Sequence, residues 1–374
     1  MRIVHVITKA DVGGAQSHVL ELSAAQVAAG HDVVVLAGVL GAAATQMTQR
    51  GVIVRQEPSL VRSISPLQDL RAARQITASL RTLRPDVVHA HSSKAGVLAR
   101  LGARRLRVPC VYTAHGWPFQ PAAPVKQRIV SRVGETFAAR WWGRVICLTK
   151  AEADLAVRYR VVSRDRVHVV ALGIPDSAFP VAAPQQADSA DNRIDPPAIV
   201  RIVMVARFAA PKDQRGVISA LTQLAPTGWQ MDFVGDGDDL EPCQQLIRTL
   251  NLADRVSTLG QRDDVERLLS QADIAVLWSR YEGLPLAMME AMRAGLACVS
   301  SLLPGTIELF GQPPVGRLAT TGDQLAQALQ ALIDDQGLRF ALGAAARLRY
   351  EQSFTLDRMV QCTQQVYEVA IRQP

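Results

Sequence analysis

Residues 273–301, DIAVLWSRYEGLPLAMMEAMRAGLACVSS, decide the fold class. The stretch begins with DIAVLW (273–278), a short apolar run typical of a strand that is buried on both faces of a parallel sheet. A polar loop, SRYEG, follows, and Pro285 suits the first turn of a helix because that turn does not need the missing N–H. A β-branched run, LACVSS (296–301), comes after the helix. The order of strand, helix and strand predicts a βαβ unit.

The same alternation runs through the whole chain and is interrupted once. Before the interruption the strand-like runs are RIVHVI (2–7), HDVVVLAG (31–38), DVVHAH (86–91), CVYTAH (110–115) and RVICLT (144–149). After it they are IVRIVMVAR (199–207), WQMDFVG (229–235), RVSTLG (255–260) and the two runs above. Residues 181–198 are rich in proline and small polar residues without periodicity, which is typical of a linker. The sequence therefore predicts an α/β protein with two Rossmann-like domains, 1–180 and 199–352, facing each other across a cleft.

Length and composition set the class of protein. A chain of 374 residues is long enough for two cores. Hydrophobic content of 48% with 20% charged residues is ordinary for a soluble globular protein. The first residues suit a strand better than a signal peptide, and the longest apolar stretch, 33–44, is too short to span a bilayer. The five cysteines lack CxxC spacing, so we expect reduced thiols in the cytoplasm and no zinc site.

Positive charge is concentrated in the first half. Residues 1–180 hold 24 Lys and Arg against 11 Asp and Glu, a balance of +13, whereas the remainder has a balance of −6. The sequence has no nucleic-acid motif, so we expect this half to face an anionic membrane or a phosphorylated lipid. The alternative is a generic arginine-rich surface.

Two stretches of the second half are suited to binding a diphosphate. Arg207 and Lys212 follow the strand 199–207, and two cations there would neutralise a diphosphate and stabilise it as a leaving group. The second stretch is the start of the helix predicted near Pro285. The backbone N–H groups near Gly283, Leu284 and Leu286 also favour phosphate there.

Two glutamates, Glu282 and Glu290, flank the start of that same helix. Their spacing indicates hydrogen bonds to hydroxyl groups at different places on one extended ligand rather than a catalytic pair acting on one atom. Asp236 and Asp238 resemble a metal-binding acid pair, but they follow a strand and precede a helix, where Asp238 or Asp239 serves well as an N-cap.

The first half offers a glycine pair and histidines at strand ends. Gly13 and Gly14 lie between the first strand and a helix, where glycines let backbone N–H groups approach a phosphate. The stretch is neither GxGxxG nor a Walker A loop, which disfavours nicotinamide and P-loop functions. His115 ends a buried strand, where it could bind a substrate hydroxyl or accept a proton, or simply be a core histidine. His89 and His91 point to one face, and no third ligand accompanies them at metal spacing.

The run Glu282-x7-Glu290, with Gly283, Pro285 and EAMRAG, resembles the signature of family 4 of the retaining glycosyltransferases, which have the GT-B fold. The phrases VITKADVGGAQSHV, DVVHAHSSKAGVLARL, VYTAHGWPF, VARFAAPKD and FVGDGDDLE occur in the order this family shows. The resemblance covers nearly the whole chain. Several of the N-terminal phrases are most similar to bacterial members that build surface polysaccharide or exopolysaccharide units on polyprenyl-diphosphate carriers.

The resemblance implies a role for each candidate residue. His115 and Glu282 would contact the transferred sugar, Arg207 and Lys212 the donor diphosphate, Glu290 the ribose and, more weakly, Arg262 the base. Gly13 and Gly14 would line the junction of donor and acceptor. No metal or other cofactor is implied, and the C-terminal helix, about 353–374, would pack back on the first domain.

The expected function is therefore retaining transfer of a sugar from a UDP- or GDP-sugar to a glycan or polyprenyl-diphosphate-linked acceptor, at the inner face of the cytoplasmic membrane. Two departures from the family pattern, Ala297 and the pair Pro304–Gly305, lie near the predicted donor pocket and leave the donor open. Three alternatives are a nucleotide-sugar epimerase, a retaining glycosidase and a non-catalytic nucleotide-sugar-binding protein. Slow donor hydrolysis would separate the last of these from an enzyme.

Overall fold

The computed structural model describes residues 1–11, 13–61, 63, 65–117, 119, 132–137, 143–176 and 199–373. The chain forms two compact units. The first comprises Met1–Pro175 together with Thr355–Pro374, and the second comprises Asp176–Phe354. The predicted linker, 181–198, lies outside the described residues.

The first unit is built on a seven-stranded parallel sheet in the order β3-β2-β1-β4-β5-β6-β7. The order reverses between β1 and β4, as in a Rossmann fold. The strands are β1 Arg2–Ala10, β2 Asp32–Leu40, β3 Ile53–Gln56, β4 Val87–His91, β5 Cys110–Ala114, β6 Arg144–Cys147 and β7 Val167–Val169. The helices are α1 Gly14–Ala28, α2 Ala42–Gln49, α3 Pro66–Leu83, α4 Ser93–Leu106 and α5 Lys150–Arg158, with a short 3₁₀ turn at Arg164–Arg166.

The inner strands of this sheet are mainly apolar because helices cover both faces. Every residue of β4 and β5 is buried, including His89 and His91. A last helix, α13 Leu356–Arg372, packs its buried residues Met359, Val366 and Tyr367 in one cluster with residues of the inner strands. The C-terminal helix predicted from about residue 353 thus begins at Leu356 and belongs to the first unit.

The second unit has a six-stranded parallel sheet in the order β10-β9-β8-β11-β12-β13, which again reverses beside its first strand. The strands are β8 Val200–Val205, β9 Trp229–Val234, β10 Val256–Thr258, β11 Ile274–Leu277, β12 Ala297–Ser301 and β13 Arg317–Ala319. The helices are α6 Gln214–Leu221, α7 Leu240–Thr249, α8 Val265–Ser270, α9 Leu286–Arg293, α10 Pro304–Phe310, α11 Gly322–Asp334 and α12 Gln336–Ser353.

The predicted α/β class with two Rossmann-like parallel sheets is confirmed. The sequence pattern missed three short strands, β3, β7 and β13, each at an edge of its sheet. The remaining edge strand, β10, lies within the predicted run 255–260. Within the described residues, no helix combines the length and the apolar character that crossing a membrane would require.

Candidate active site

The loops that follow β8 and β11 are bonded together in the second unit. Lys212 forms an isolated antiparallel bridge with Ser279. The backbone N–H of Asp213 donates to the Trp278 carbonyl at 3.0 Å, and that of Arg280 donates to the Pro211 carbonyl at 2.9 Å. Both loops lie at the carboxyl ends of parallel strands, the edge where open α/β sheets bind their ligands. Two segments that are 70 residues apart in sequence therefore form one surface.

The side chains of Lys212 and Glu282 form an ion pair on this surface. They keep 19% and 11% of their exposure, so the pair is shielded from water but still open to a ligand. Arg207 begins the same loop with an exposed side chain, and its carbonyl accepts a hydrogen bond from Nε2 of Gln214 at 2.8 Å. The structure thus unites a residue predicted to bind diphosphate with one predicted to bind sugar.

Helix α9 begins one residue later than the sequence suggests. Pro285 is its N-cap rather than part of its first turn, and the Pro285 carbonyl accepts from the N–H of Met289 at 3.1 Å. Leu286 is therefore the first helical residue, while Gly283 and Leu284 belong to the preceding loop, and Leu284 is buried. No side chain caps this helix start, which leaves its first N–H groups available to an anion.

Gly305 holds the base of this loop in place. A Cβ at Gly305 would lie 1.4 Å from the Gly283 carbonyl oxygen and 2.9 Å from that of Glu282. Only glycine permits this approach of backbone to backbone. The departure at Pro304–Gly305 noted in the sequence thus includes a residue that shapes the Glu282–Gly283 turn.

Glu290 lies inside helix α9, whereas Glu282 lies in the loop before that helix. Burial raises the pKa of its carboxyl group, and the nearby Arg293 partly opposes this effect. Arg293 itself pairs with Glu266 at 3.2 Å. The carboxyl group of Glu290 is therefore shielded from water.

Arg262 has its guanidinium engaged by a carboxylate. It donates from Nε and from the second terminal nitrogen to the two oxygens of Asp264, at 2.7 and 2.9 Å. Arg267 shares that carboxylate. The bidentate pair uses two of the five N–H donors of Arg262, so the other three can still donate to a nucleotide base.

The glycines around Asp236 serve the packing of the loop. Gly235 and Gly237 have φ values of 141° and 148°, and a Cβ on Gly237 would lie 2.4 Å from the Phe208 carbonyl oxygen. Asp239 occupies the N-cap of α7 as the sequence suggested, but its side chain makes no capping hydrogen bond.

Gly13 and Gly14 lie where β1 gives way to α1 in the first unit. Gly13 has a φ angle of 150°, which residues other than glycine rarely adopt. Gly14 is the first residue of the helix. The next two residues, Ala15 and Gln16, line a cavity of about 630 Å³. The cavity is walled by apolar, hydroxyl, amide and charged residues from three segments of the sheet edge and from residues 134–135: Ile7, Thr8, Lys9, Asp69, Ser92, Ser93, Lys94, Val97, Leu98, Gly134 and Glu135.

His115 lies just beyond β5 and belongs to a cluster of histidines. Five of the seven histidines lie together: His5, His18, His89, His91 and His115. Burial lowers the pKa of His5 and that of His115 to about 4, and it holds the pKa values of His18, His89 and His91 well below the usual value for histidine. All five rings are therefore neutral near pH 7.

Two groups of three rings have the spacing of metal ligands: His5, His89 and His91, and His18, His91 and His115. Within each group the ligand nitrogens lie within 4.8 Å of one another. This corrects the expectation that His89 and His91 lack a third partner. Both ring nitrogens of His5, of His89 and of His91 are nevertheless engaged in hydrogen bonds, so a metal would have to displace them.

Sequence reasoning missed His5, His18, Gln26 and Tyr367 as members of this cluster. One signal was present in the strand register, since His5 pairs with His89 across β1 and β4. Tyr367 belongs to α13, 278 residues beyond His89. No local sequence pattern predicts a contact over that separation.

Comparison with known proteins agrees with this geometry. Residues 13–173 match the glycosyl transferase 4-like domain, and residues 187–349 match the glycosyl transferases group 1 family. The fold and the site thus define a glycosyltransferase of the GT-B fold. The chain belongs to the group 1 glycosyltransferases, and its first half is a glycosyl transferase 4-like domain. The resemblance in the sequence motifs indicated the same family.

Relatives and solved structures of similar length align over most of the chain. One relative is the Escherichia coli UDP-Gal:alpha-D-GlcNAc-diphosphoundecaprenol alpha-1,3-galactosyltransferase, 28% identical over 83% of this chain and 82% of its own. Another is the glycogen synthase of Mycobacterium tuberculosis, 28% identical over 96% of this chain and 92% of its own. Among solved structures, Anabaena Alr3699/HepE in complex with UDP and glucose has a TM-score of 0.82 at 22% identity, covering 98% and 99% of the two chains.

Proposed function

We propose that this glycosyltransferase moves a sugar from a nucleotide-diphosphate donor to an acceptor hydroxyl with retention of the anomeric configuration. The observation that carries the proposal is the Lys212–Glu282 ion pair at the joined ends of β8 and β11. A cation for a leaving diphosphate and a carboxylate for sugar hydroxyls meet on one surface. A glycosyl donor of this kind needs both groups at its reacting end.

The donor lies along the second unit in this proposal. Arg207, Lys212 and the N–H groups around Gly283, Leu284 and Leu286 hold the diphosphate. Glu282 accepts from hydroxyls of the sugar, Glu290 accepts from the ribose, and Arg262 contacts the base. The Lys212 ammonium has three N–H donors, so it can keep Glu282 while it binds phosphate oxygens. UDP is the nucleotide we propose, since UDP or a UDP-sugar appears in the names of the Escherichia coli relative and the Anabaena structure.

The acceptor is a lipid-linked diphosphate sugar bound in the cavity of the first unit. Lys9 and Lys94 offer ammonium groups to the cavity, which Asp69 and Glu135 also line, while Ile7, Val97 and Leu98 give it an apolar wall. Lys94 is paired with Asp69, so its charge is held in position. The Escherichia coli relative is named for a diphosphoundecaprenol acceptor, and the same class of acceptor suits these residues.

The transfer step is a front-face substitution. The bond from the anomeric carbon to the phosphate oxygen breaks, and the acceptor oxygen bonds to the same face of that carbon. The acceptor proton passes to the departing phosphate oxygen, so a nucleoside diphosphate leaves and charge balances. Arg207, Lys212 and the α9 helix start stabilise the developing negative charge, and we propose that no metal ion is needed. His115 contacts the transferred sugar.

A surface formed by α3 and α4, here called the α3–α4 face, is the membrane-facing part of the first unit. A groove between the two helices is lined by apolar residues and four arginines: Leu70, Ala73, Arg74, Thr77, Ala78, Arg81, Leu101, Arg104 and Arg105. Leu67, Leu70 and Leu101 are 74%, 49% and 39% exposed. Exposed leucines among arginines suit an anionic lipid surface. We propose that the enzyme works there, at the inner face of the cytoplasmic membrane.

Turnover tests the proposal. The purified protein is incubated with UDP-, GDP- and dTDP-sugars and with N-acetylglucosaminyl diphosphopolyprenol, with and without EDTA. We expect one donor to be consumed only when acceptor is present beyond a slow hydrolysis, at a rate that EDTA leaves unchanged. Lys212→Gln should lower kcat/KM by about 10²-fold or more, because a charged contact to the leaving group is lost. Arg248→Gln, an exposed residue of α7, is the matched control.

The outcomes separate the alternatives. An epimerase would convert the donor sugar without any acceptor, and a binding protein would consume none. Loss of turnover in EDTA that Mg²⁺ restores would contradict the metal-independent mechanism.

A further inference from the structure

The buried histidine cluster contains a continuous hydrogen-bonded chain that ends at His115. From Gln26 on α1, Oε1 lies 2.7 Å from Nε2 of His5. Nδ1 of His5 lies 3.0 Å from Nε2 of His91, and Nδ1 of His91 lies 3.3 Å from Nε2 of His115. The chain thus joins a helix of the first unit to the residue that follows β5.

Each ring of this chain can use its nitrogens in only one of two ways. The rings are neutral near pH 7 because burial lowers their pKa values. A neutral imidazole has one N–H donor and one acceptor nitrogen. Once the nitrogen that carries the proton is fixed in the first ring, every following ring must take the same tautomer to complete the hydrogen bonds.

Gln26 places the first proton because its amide has distinct donor and acceptor ends. Nε2 of Gln26 donates to the hydroxyl of Tyr367 at 3.2 Å, so Oε1 faces His5 and accepts from Nε2–H of His5. Nδ1 of His5 then accepts from Nε2–H of His91, and Nδ1 of His91 accepts from Nε2–H of His115. His115 is left with its proton on Nε2 and a lone pair on Nδ1.

A second branch from Tyr367 agrees with this direction. The Tyr367 hydroxyl receives its hydrogen bond from Gln26, so its own proton is free to go to Nδ1 of His89 at 2.6 Å. Nε2–H of His89 can then donate to the Thr113 hydroxyl at 2.7 Å. In this branch Tyr367 and His89 each accept one hydrogen bond and donate one.

His18 is the remaining neighbour of His115, with ring centroids 5.0 Å apart. Neither ring nitrogen of His18 has a hydrogen-bond partner among the described residues. Glu152 approaches Gly116, where its Oε1 would lie 4.0 Å from an added Cβ. Neither group takes the place of His91 as the partner of Nε2 of His115.

We propose that Gln26 is a positioning residue that holds His115 in the Nε2-protonated tautomer, so that Nδ1 can act only as an acceptor or base. If the Gln26 amide were reversed, every proton in the chain would move to the other nitrogen and Nδ1 of His115 would become a donor. One amide, three hydrogen bonds away, thus sets the chemistry of His115. The consequence for catalysis rests on the proposed function, whereas the tautomer itself does not.

Nuclear magnetic resonance of protein labelled with ¹⁵N-histidine tests the tautomer directly, because long-range ¹H–¹⁵N spectra distinguish protonated from unprotonated ring nitrogens. His115→Gln assigns the resonance, and His31 and His168, outside the cluster, serve as internal references. We expect His115 to carry its proton on Nε2 in the unmodified protein. In Gln26→Met, which keeps the volume but not the amide, the Nδ1–H form should appear in His5, His91 and His115 together.

Tyr367→Phe is the milder variant, since it removes only the hydroxyl that accepts from Nε2 of Gln26 and leaves the amide in place. Mixed tautomers at His115 are expected there, with Gln26 still present. His115 protonated on Nδ1 in the unmodified protein would overturn the proposal, as would unchanged tautomers in Gln26→Met and Tyr367→Phe alike. Melting temperatures show which variants are folded. If Gln26→Met does not fold, the tautomers in Tyr367→Phe test the proposal.

Kinetics provide the second readout. With the nucleotide sugar that the unmodified protein turns over, Gln26→Met should lower kcat by at least about tenfold with little change in donor KM, because a protonated Nδ1 of His115 cannot accept a hydrogen bond from a hydroxyl of the transferred sugar during transfer. A change in KM alone would indicate a merely structural role and contradict the catalytic part. Altered tautomers in a protein with no transferase activity would leave the Gln26 assignment standing and refute the proposed function instead.

Discussion

Lys212 and Glu282 neutralise each other in the second unit, and this pairing affects what either substitution would do. Glu282→Ala removes the proposed sugar contact and also frees the Lys212 ammonium from its fixed position. We expect kcat to fall by at least about 10²–10³-fold, the scale seen when one preorganised transition-state contact is lost. Glu290→Ala should instead raise the donor KM about tenfold with kcat little changed, because a ribose contact is equally strong before and during transfer.

Steady-state kinetics on both variants check this pair of expectations. Glu241→Ala, at an exposed position of α7, is the matched control and should behave like the unmodified protein. Wild-type kinetics for both Glu282→Ala and Glu290→Ala would refute the assignment of the two carboxylates.

At the scale of single residues, the sequence was informative where chemistry is local. Arg207, Lys212, Glu282 and the α9 helix start could be proposed from loops that follow strands. Gln26 and Tyr367 could not be, because their importance depends on contacts with histidines of other strands. Gly305 was noted only as a departure from a pattern, and its close approach to Gly283 appears only in three dimensions.

Helices α3 and α4 form the element on which the membrane proposal depends. Arg74, Arg81 and Arg105 form no ion pair with any described residue, so their charge is available to lipid. A basic residue near an anionic surface contributes about 1 kcal/mol. Replacing these three with Gln should weaken binding to phosphatidylserine-containing liposomes on the order of 100-fold, measured by co-sedimentation at low salt.

The control for this experiment removes equal charge elsewhere. Arg55, Arg158 and Arg248 are exposed outside the α3–α4 face, and their replacement with Gln should change binding much less. Equal losses in the two triple variants would mean that only net charge matters. No binding by the unmodified protein would contradict the membrane proposal itself.

Elements were predictable where they are long and buried on both sides. The inner strands of both sheets follow from mainly apolar runs, because helices on two faces favour apolar residues. The short edge strands β3, β7 and β13 were missed, whereas the edge strand β10 was predicted from the run 255–260. The start of α9 was displaced by one residue because proline suits the N-cap geometry found here as well as the first turn.

The buried histidines make the stability of the whole molecule sensitive to mild acid. The pKa of His5 and that of His115 are lowered to about 4 from 6.5. The unfolded chain therefore binds more protons than the folded chain as pH falls from about 6.5 toward 4, and stability is lost in that window. Each of the two residues should lower the free energy of unfolding by about 2 kcal/mol between about pH 7 and pH 5.

Urea unfolding at the two pH values, with proton uptake measured alongside, checks this expectation. The first unit should lose stability and take up protons from solvent as it unfolds at the lower pH. Stability that is unchanged between about pH 7 and pH 5 would show that the cluster is already protonated or is open to water.

At the scale of the whole molecule, the proposed function is sugar transfer with retention, and the configuration of the product tests that proposal most directly. The turnover reaction with the preferred donor and N-acetylglucosaminyl diphosphopolyprenol is run to completion, and the anomeric proton of the newly added sugar is observed by nuclear magnetic resonance. An α-linked donor should give an α-linked product, with free nucleoside diphosphate in equal amount. A β-linked product would contradict front-face transfer at the Lys212–Glu282 site, and absence of any product across the donor panel would contradict the proposed function.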